Sequence, residues 1–377
     1  MGRTILVTGG AGFIGSHLAD LLLARGHRVR ILDSLVPQVH GEGQARPAYL
    51  APEAELVRGD VRDPLAVRRA LTDGGSPVDA VVHLAAAVGV GQSMYQVAEY
   101  TAVNELGTAV LLEALAASPV GRLVVASSMS VYGEGLAASP DGTPVEPGER
   151  PAEALRRHRW EPEGPGGEPL SPLPTPETKR PALSSVYALG KYAQERMGLI
   201  WGRAYGVPVT ALRFFNVYGT RQALSNPYTG VLAIFASRLL NGNAPMIFED
   251  GLQRRDFVHV RDVARAVLLA LERDEAAAGE VVNVGSGAPR TVLDVARGIA
   301  EAVGRPDLRP RVTGRYRVGD IRHCYADTAL AKRLLGFEAR EDFQAGLAEL
   351  SGWLAGQVAV DRVDQATDEL LRRGLVA

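Results

Sequence analysis

The 377-residue chain is long enough for a large core divided between two lobes. Its charges nearly cancel, 41 Lys and Arg against 43 Asp and Glu for a formal net charge of −2, which gives no basic face for nucleic acid. With 46% hydrophobic residues, no apolar run of bilayer length, no leading signal-type segment and a single cysteine, Cys324, the composition fits a cytoplasmic enzyme without disulfides, and no His, Cys, Asp and Glu grouping has metal-ligand spacing.

The first element is a β-branched apolar run, Thr4-Ile5-Leu6-Val7-Thr8, which turns through Gly9, Gly12 and Gly15 into a helix starting near Phe13 and Ile14. The glycines have distinct tasks: a turn with positive φ, close backbone approach to a pyrophosphate, and tight packing of helix on strand. The helix start then points free N–H groups and a positive dipole end at phosphate. Such spacing also occurs in ordinary turns. The preceding strand, the following helix and the acid closing the next apolar run, Arg28-Val29-Arg30-Ile31-Leu32-Asp33, favour a dinucleotide site.

Further strands are predicted at 55–58, 80–84, 122–126 and 209–212, nearly continuous apolar runs as strands buried on both faces require. Helices are predicted at 15–25, 64–71, 98–116 and 185–205. The alternation predicts an α/β fold, a doubly wound parallel Rossmann sheet with a smaller C-terminal α/β domain. The carboxyl ends of the strands, where open α/β sheets bind ligands, carry Asp33 and Ser34, Asp60 and Val61, Leu84-Ala85-Ala86, and Ser127-Ser128. The predicted division is a nucleotide-binding domain over 1–216 to which 256–285 returns, a second domain over 217–255 and 286–353, and a helical tail over 354–377. An excursion at 133–180, rich in Pro, Gly and charge, breaks the pattern. It is predicted to be an ordered flap that buries Trp160 and Leu170, with Arg156, Arg157 or Arg159 near phosphate.

Tyr187 and Lys191 stand one helical turn apart on one face. A tyrosine titrates near 10, about three units too high for a base at neutral pH. A cation about 5 Å away, at an effective dielectric near 20, contributes roughly 3 kcal/mol, or about two units. A lysine with an oxidised nicotinamide ring supplies most of the shift a tyrosine base needs. Ser128, ending the strand at 122–126, can hydrogen-bond a substrate oxygen as it becomes a carbonyl. His83 reads as a hydrogen-bonded core residue and Cys324 as a small apolar filler.

Taken together, these motifs resemble the extended short-chain dehydrogenase/reductases of the nucleotide-sugar epimerase/dehydratase family. The likeness runs from Arg3 to about Trp353, outside 133–180. It rests on the glycine loop, Gly59-Asp60-Val61, His83-Leu84-Ala85-Ala86, Asn104 with Gly107-Thr108, Ser128 before Val131-Tyr132-Gly133, and Tyr187 with Lys191. Arg213-Phe214-Phe215-Asn216, Arg255-Asp256-Phe257-Val258-His259-Val260, Asn283-Val284-Gly285 and Arg317-Val318-Gly319-Asp320 continue it. The resemblance implies that Tyr187 is the base and acid, that Lys191 tunes it and holds the nicotinamide ribose, and that Ser128 orients the substrate. It implies an NAD site made by Gly9, Gly12, Phe13, Ile14, Gly15, Asp33, Ser34, Asp60, Val61, Leu84, Ala85, Ala86, Asn104, Tyr187 and Lys191. It implies that Ser130, Asn216, Val231, Phe248, Arg255, Asn283 and Arg317 bind a nucleoside-diphosphate sugar, the arginines gripping its phosphates. It also implies a homodimer through the helices at 98–116 and 185–205.

Asp33 favours NAD over NADP, because a 2′-phosphate 4 Å from a carboxylate costs about 4 kcal/mol at an effective dielectric near 20. Arg46 is the one residue nearby placed to relieve it. Met129 and Ser130 stand where water-eliminating members carry an acidic pair, so dehydration is not expected; decarboxylating members carry a glutamate in the same segment. Epimerisation at C4 through a transient 4-keto sugar needs only the groups present. Val88 replaces a lysine of the UDP-galactose-type enzymes. The excursion, with 35–41, 222–230 and 317–324, is more similar to bacterial 4-epimerases of a dTDP-6-deoxyhexose, the L-rhamnose/6-deoxy-L-talose pair. A UDP-hexose 4-epimerase, a 4-ketoreductase of a dTDP-deoxysugar and a cofactor-sensing regulator are the alternatives.

Overall fold

A computed structural model describes residues 2–43, 45–73, 77–228, 230–273 and 277–377; Thr229 of the 222–230 run lies outside them. Seven parallel strands form the main sheet. Across it they run Val281–Val284, Val209–Phe214, Arg122–Ser128, Ala80–His83, Thr4–Thr8, Arg28–Asp33 and Glu55–Arg58. Thr4–Thr8 pairs with Arg28–Asp33 on one side and Ala80–His83 on the other, so the strand order reverses there and opens a crevice at the carboxyl edge. The five residues of Thr4–Thr8 are all buried, as are those of Ala80–His83 and Val209–Phe214, which is why these strands read as unbroken apolar runs.

Helices cover both faces. Phe13–Ala24 and Val260–Glu272 pack on one face around Leu18, Leu22, Val263 and Val267. Pro64–Thr72, Gly107–Ala117 and Val186–Tyr205 pack on the other around Val67, Leu111 and Leu199. The strand predicted at 122–126 continues to Ser128, carrying both serines to the sheet edge. The helix predicted over 98–116 is in fact three pieces: Val97–Thr101, a π-helical turn Ala102–Leu106, and Gly107–Ala117. The wide turn holds Asn104, and such turns recur at functional positions.

A second region pairs Asn216–Tyr218 and Arg254–His259 in parallel, adds Pro289–Thr291 antiparallel, and ends in His323–Cys324. Its own core gathers Tyr218, Phe235, Phe257, Ile299 and Leu347. Arg254–His259 belongs to this sheet, whereas Val281–Val284 returns to the main one. The excursion carries more regular structure than its composition suggests. It has a three-stranded sheet of Ala137–Ala138, Pro144–Val145 and Ser171–Pro172, and a short helix Ala152–Arg156. Trp160 is buried with Leu155 and Tyr316, and Leu170 is buried too. The tail forms a helix Val363–Arg372, then pairs Val376 with Arg317. Among the described residues no helix is long and apolar enough to cross a membrane.

Candidate active site

The glycine turn is closed to side chains. Gly9 has φ +68, and a Cβ there would lie 2.8 Å from the backbone nitrogen of Ala85; a Cβ on Gly15 would lie 2.5 Å from Gly10 Cα. Gly12 caps Phe13–Ala24 with no side-chain hydrogen bond, so the helix presents its first N–H groups to the crevice beside the half-buried Phe13 and Ile14. Asp33 stands next to this turn, its Oδ2 accepting from Ala11 N at 3.0 Å and its Oδ1 from Leu35 N at 2.9 Å. Ser34 is exposed beside it. Arg46 does not reach Asp33; its guanidinium donates to the carbonyls of Ala51 and of Ala54. His40 Nε2 lies 3.6 Å from Asp33 Oδ1. A bare helix end, a loop that excludes Cβ atoms and a carboxylate that Arg46 does not reach together fit a dinucleotide without a 2′-phosphate.

Asp60 closes the third strand's turn. Hydrogen bonds from Arg62 hold its carboxyl below the usual range against partial burial. Val61 is buried and presses on Gly107, where a Cβ would sit 2.5 Å from Val61 Cγ1. Leu84, Ala85 and Ala86 line the crevice half-buried. Asn104 is fully buried; it accepts from Ala87 N at 2.8 Å and donates to Ala87 O at 3.1 Å. It therefore fixes the loop after Ala80–His83 by clamping its backbone.

Ser185 caps the helix Val186–Tyr205, which bears Tyr187 and Lys191, by accepting from Ala188 N, and Gly206, in the left-handed region, ends it. Ser93 Oγ accepts from Tyr187 N at 3.0 Å, which ties the helix start to the loop after Ala80–His83. Burial raises the Tyr187 phenol above its ordinary value, and a hydrogen bond with Ser128 works the other way. Ser130 Oγ donates to Ser128 Oγ at 2.9 Å. Both positions after Ser128, Met129 and Ser130, are buried and carry no acid.

Lys191 is buried and donates to Gln194 Oε1 at 2.6 Å; it is this amide, rather than the phenol, that holds the ammonium. Burial lowers it to about 7, with Glu195 opposing. Gln194 turns its NH2 to Thr108 Oγ1 at 2.9 Å and Ala85 O at 3.3 Å. His83 completes this network between Thr8 Oγ1 at 2.7 Å and Thr108 Oγ1 at 2.9 Å, and burial lowers it to about 3. The Thr108 hydroxyl donates to Asn104 O, and the Gln194 amide nitrogen lies 3.1 Å from His83 Nε2, so a neutral imidazole is held from three sides.

Arg255 and Arg317 converge on one carboxylate. Arg317 lies 3.0 Å and Arg255 3.6 Å from Asp320. Burial raises Asp320, but Arg317, Arg255 and Arg150 outweigh it and hold the acid low. Arg255 also donates to the carbonyls of Ile321 and Arg322, and the Arg317 guanidinium stacks 5.0 Å over Phe248. Asn216 Oδ1 is buried without a partner, a group awaiting a donor. Val231 opens the helix Val231–Leu240.

Asn283 corrects the sequence reading. It is fully buried; its Oδ1 accepts from Tyr132 OH at 2.7 Å and its Nδ2 donates to Thr175 O and Asp327 O. It has no polar atom left for a sugar and serves as a tie inside the fold. The arginines of the flap are also misplaced by that reading. Arg156 and Arg157 are exposed and paired with Glu153, and Arg159 is exposed and paired with Glu163. The arginine that reaches inward is Arg150. It bridges Glu134 at 3.0 Å and Glu249 at 2.8 Å and donates to Asp320 O. Beside it, fully buried Arg322 meets Glu161, Glu249 and Asp250 at 2.6 to 3.0 Å, and His323 meets Glu161 at 2.7 Å. Nothing in the spacing of these residues marks them in the sequence. Among the described residues no acidic, cysteine or histidine cluster could hold a metal.

A doubly wound sheet with a bare glycine turn at its switch point and a Ser–Tyr–Lys set beside it defines a nicotinamide-dinucleotide enzyme of the short-chain dehydrogenase/reductase type. Comparison with known proteins agrees. The model of the NAD dependent epimerase/dehydratase family matches residues 5–154 and 164–285. A dTDP-L-rhamnose 4-epimerase of Burkholderia thailandensis is 37% identical over 95% of this chain and 96% of its own length. A putative UDP-glucose 4-epimerase of Methanocaldococcus jannaschii is 33% identical over 93% and 98%. The crystal structure of Thermus thermophilus UDP-glucose 4-epimerase in complex with NAD superposes with a TM-score of 0.74 at 32% identity, covering 94% of this chain and 100% of that one. The chain belongs to the NAD-dependent epimerase/dehydratase family, and its cofactor is NAD.

Proposed function

We propose that the protein interconverts the C4 epimers of a nucleoside-diphosphate sugar, with dTDP-L-rhamnose and dTDP-6-deoxy-L-talose the favoured pair. The observation that carries this reading is the Ser128–Tyr187 contact beside a segment, Met129-Ser130, with no acid to expel water. Tyr187 takes the C4 hydroxyl proton and returns it, Ser128 holds that oxygen, and Lys191 supplies the positive charge that favours phenolate. NAD, bound along Gly9–Gly15, Asp33 and Asp60, supplies the hydride acceptor and donor. Arg255 and Arg317 hold the diphosphate, which leaves the sugar ring free to present either face. The first-named relative's activity and the 37% identity support the 6-deoxy sugar.

The test is NMR of the purified protein with dTDP-L-rhamnose, and with UDP-galactose for comparison, without added reductant. Appearance of the 6-deoxy-L-talose signals is the expected result. Turnover of UDP-galactose alone would move the assignment to a UDP-hexose 4-epimerase, and a requirement for reduced cofactor would move it to a ketoreductase. We also propose a homodimer, since Val97, Leu106, Leu189, Ile200 and Tyr205 leave apolar side chains exposed on the helices flanking the site. Light scattering showing a monomer at micromolar concentration would contradict it.

A further inference from the structure

Three loops at the carboxyl edge of the main sheet meet in a cluster of amides. After Asp33 the chain turns through Leu35, φ 52, into a short helix Pro37–His40, whose His40 stays beside the Asp33 carboxylate. After Ala80–His83 it forms a second short helix, Val90–Ser93, whose Ser93 accepts from Tyr187 N. Gln38 of the first helix and Gln92 of the second exchange both amide hydrogen bonds, at 3.0 and 3.3 Å. Tyr100 OH also donates to Gln92 Oε1, at 3.1 Å. The third loop, which follows Asn216–Tyr218, supplies Asn226. Its Oδ1 accepts from Gln38 Nε2 and from Tyr228 N, each at 3.0 Å.

This third loop crosses from one bank of the crevice to the other. It starts on the helix Phe13–Ala24, where Thr220 O lies 3.1 Å from His17 Nε2 and Arg221 pairs with Asp20 at 2.8 Å. Arg221 takes a left-handed backbone, φ 68, which costs free energy in a residue with a Cβ. The loop then reaches the segment after Ala80–His83. A Cβ on Gly89 would lie 3.0 Å from Tyr228 Cβ, and Tyr228 OH meets Tyr95 OH at 2.6 Å. Thr4–Thr8 lies between Arg28–Asp33 and Ala80–His83, so the bond from Gln38 to Gln92 spans the end of the strand that bears the glycine turn. With Asp33 at the adenosine ribose and Tyr187 at the nicotinamide, a bound dinucleotide runs the same way, from the helix of Gln38 to the helix of Gln92. The glycine turn is then the floor of its channel, and the amides close the opposite side. Gln38 is exposed whereas Gln92 and Asn226 are buried, the arrangement of a cover with one face in water. All three side chains are neutral, and each hydrogen bond between them is of modest net strength, which suits a closure that opens.

We propose that Gln38, Gln92 and Asn226 form a latch that closes residues 219–228 over the NAD crevice and sets the rate at which the dinucleotide enters and leaves. The proposal depends on the NAD site and not on the identity of the sugar. A latch acts on the opening equilibrium, so loosening it speeds entry and release together and leaves Kd near its wild-type value. The experiment loads the purified protein with radiolabelled NAD, chases with unlabelled NAD to read the release rate, and measures Kd by equilibrium dialysis against graded NAD. Gln38→Ala is expected to speed release by about 3- to 10-fold, with Kd within about twofold of the wild type. Asn226→Ala should speed it further, since it also strips Tyr228 N of its partner. Gln38 is exposed, so its variant keeps the test open if Asn226→Ala does not fold. Unchanged release in folded Gln38→Ala, including unchanged release with a lowered thermal midpoint, overturns the latch. Faster release matched by an equal rise in Kd overturns it too, because the amide would then be a direct contact to the dinucleotide and not a closure over it.

Discussion

Two buried polar networks flank the crevice, and they are built differently. On the cofactor side, Thr8, His83, Thr108, Gln194 and Lys191 share short hydrogen bonds in which the ammonium is the one cation and His83 is neutral. On the substrate side, Glu134, Glu161, Glu249 and Asp250 pair with Arg150 and Arg322 across the join between the flap and the second region, where burial raises Glu249 against the pull of both arginines. Glu249 even takes a left-handed backbone, φ 53, to reach its arginines. The neutral network positions one cation that can change its protonation near pH 7. The ionic network fixes the segment 320–323 from which Asp320 spaces two arginines. A site that moves a proton needs a group poised to titrate, whereas a site that grips phosphate needs charges that do not.

The largest expected effect separates chemistry from architecture. Tyr187→Phe should lower kcat by about 10³- to 10⁴-fold while the protein retains NAD and its thermal midpoint; unchanged turnover would remove the catalytic assignment. Arg322→Met should act the other way round. It leaves buried Glu249 beside the exposed Glu161 and the half-buried Asp250, so a loss of about 2–3 kcal/mol, below that of a fully buried pair, is expected in denaturant unfolding. A loss under 1 kcal/mol would show the network to be well hydrated.

Lys191→Met addresses the titrating side. Without the ammonium, phenolate is disfavoured, and the acid limb of kcat/KM moves to higher pH by up to about two units. Burial brings Lys191 itself to about 7, so its charge is present below that pH and lost above it. The wild-type and variant profiles should therefore converge on the alkaline side. Equal limbs would mean that the lysine serves only to hold ribose. The smallest effect concerns Asn283: Asn283→Ala should cost about 1–3 kcal/mol of stability by orphaning Tyr132 and two carbonyls, with KM unchanged. A raised KM at full stability would return it to the substrate site.

The cofactor side was largely legible in the sequence because its signals are local. Gly9 to Gly15, Asp33 and the Tyr187–Lys191 pair each sit at one strand end or one helical turn, where spacing dictates geometry. Even the neutral state of His83 follows from its place in a fully buried strand. The substrate side was not legible, since Glu134 and Arg322 are 188 positions apart and meet only because the flap folds onto the second region. Asn283 misled for a related reason. An amide at the end of a strand looks the same whether it faces a ligand or ties Tyr132 to Thr175. The π-turn at 102–106 was hidden because its residues fit an α-helix equally well. The arginine cluster at 156–159 drew attention through composition, while Arg150, alone in its stretch, is the one buried in the network.

The central claim is that hydrogen leaves C4 of the sugar and comes back to the same carbon, with Tyr187 exchanging only the hydroxyl proton. It is tested most directly by running the reaction with dTDP-L-rhamnose in D2O, without added reductant, and reading position 4 of the product by NMR. The C4 epimer is expected to appear with protium at C4. Deuterium at that carbon, or no product until reduced cofactor is supplied, would contradict it.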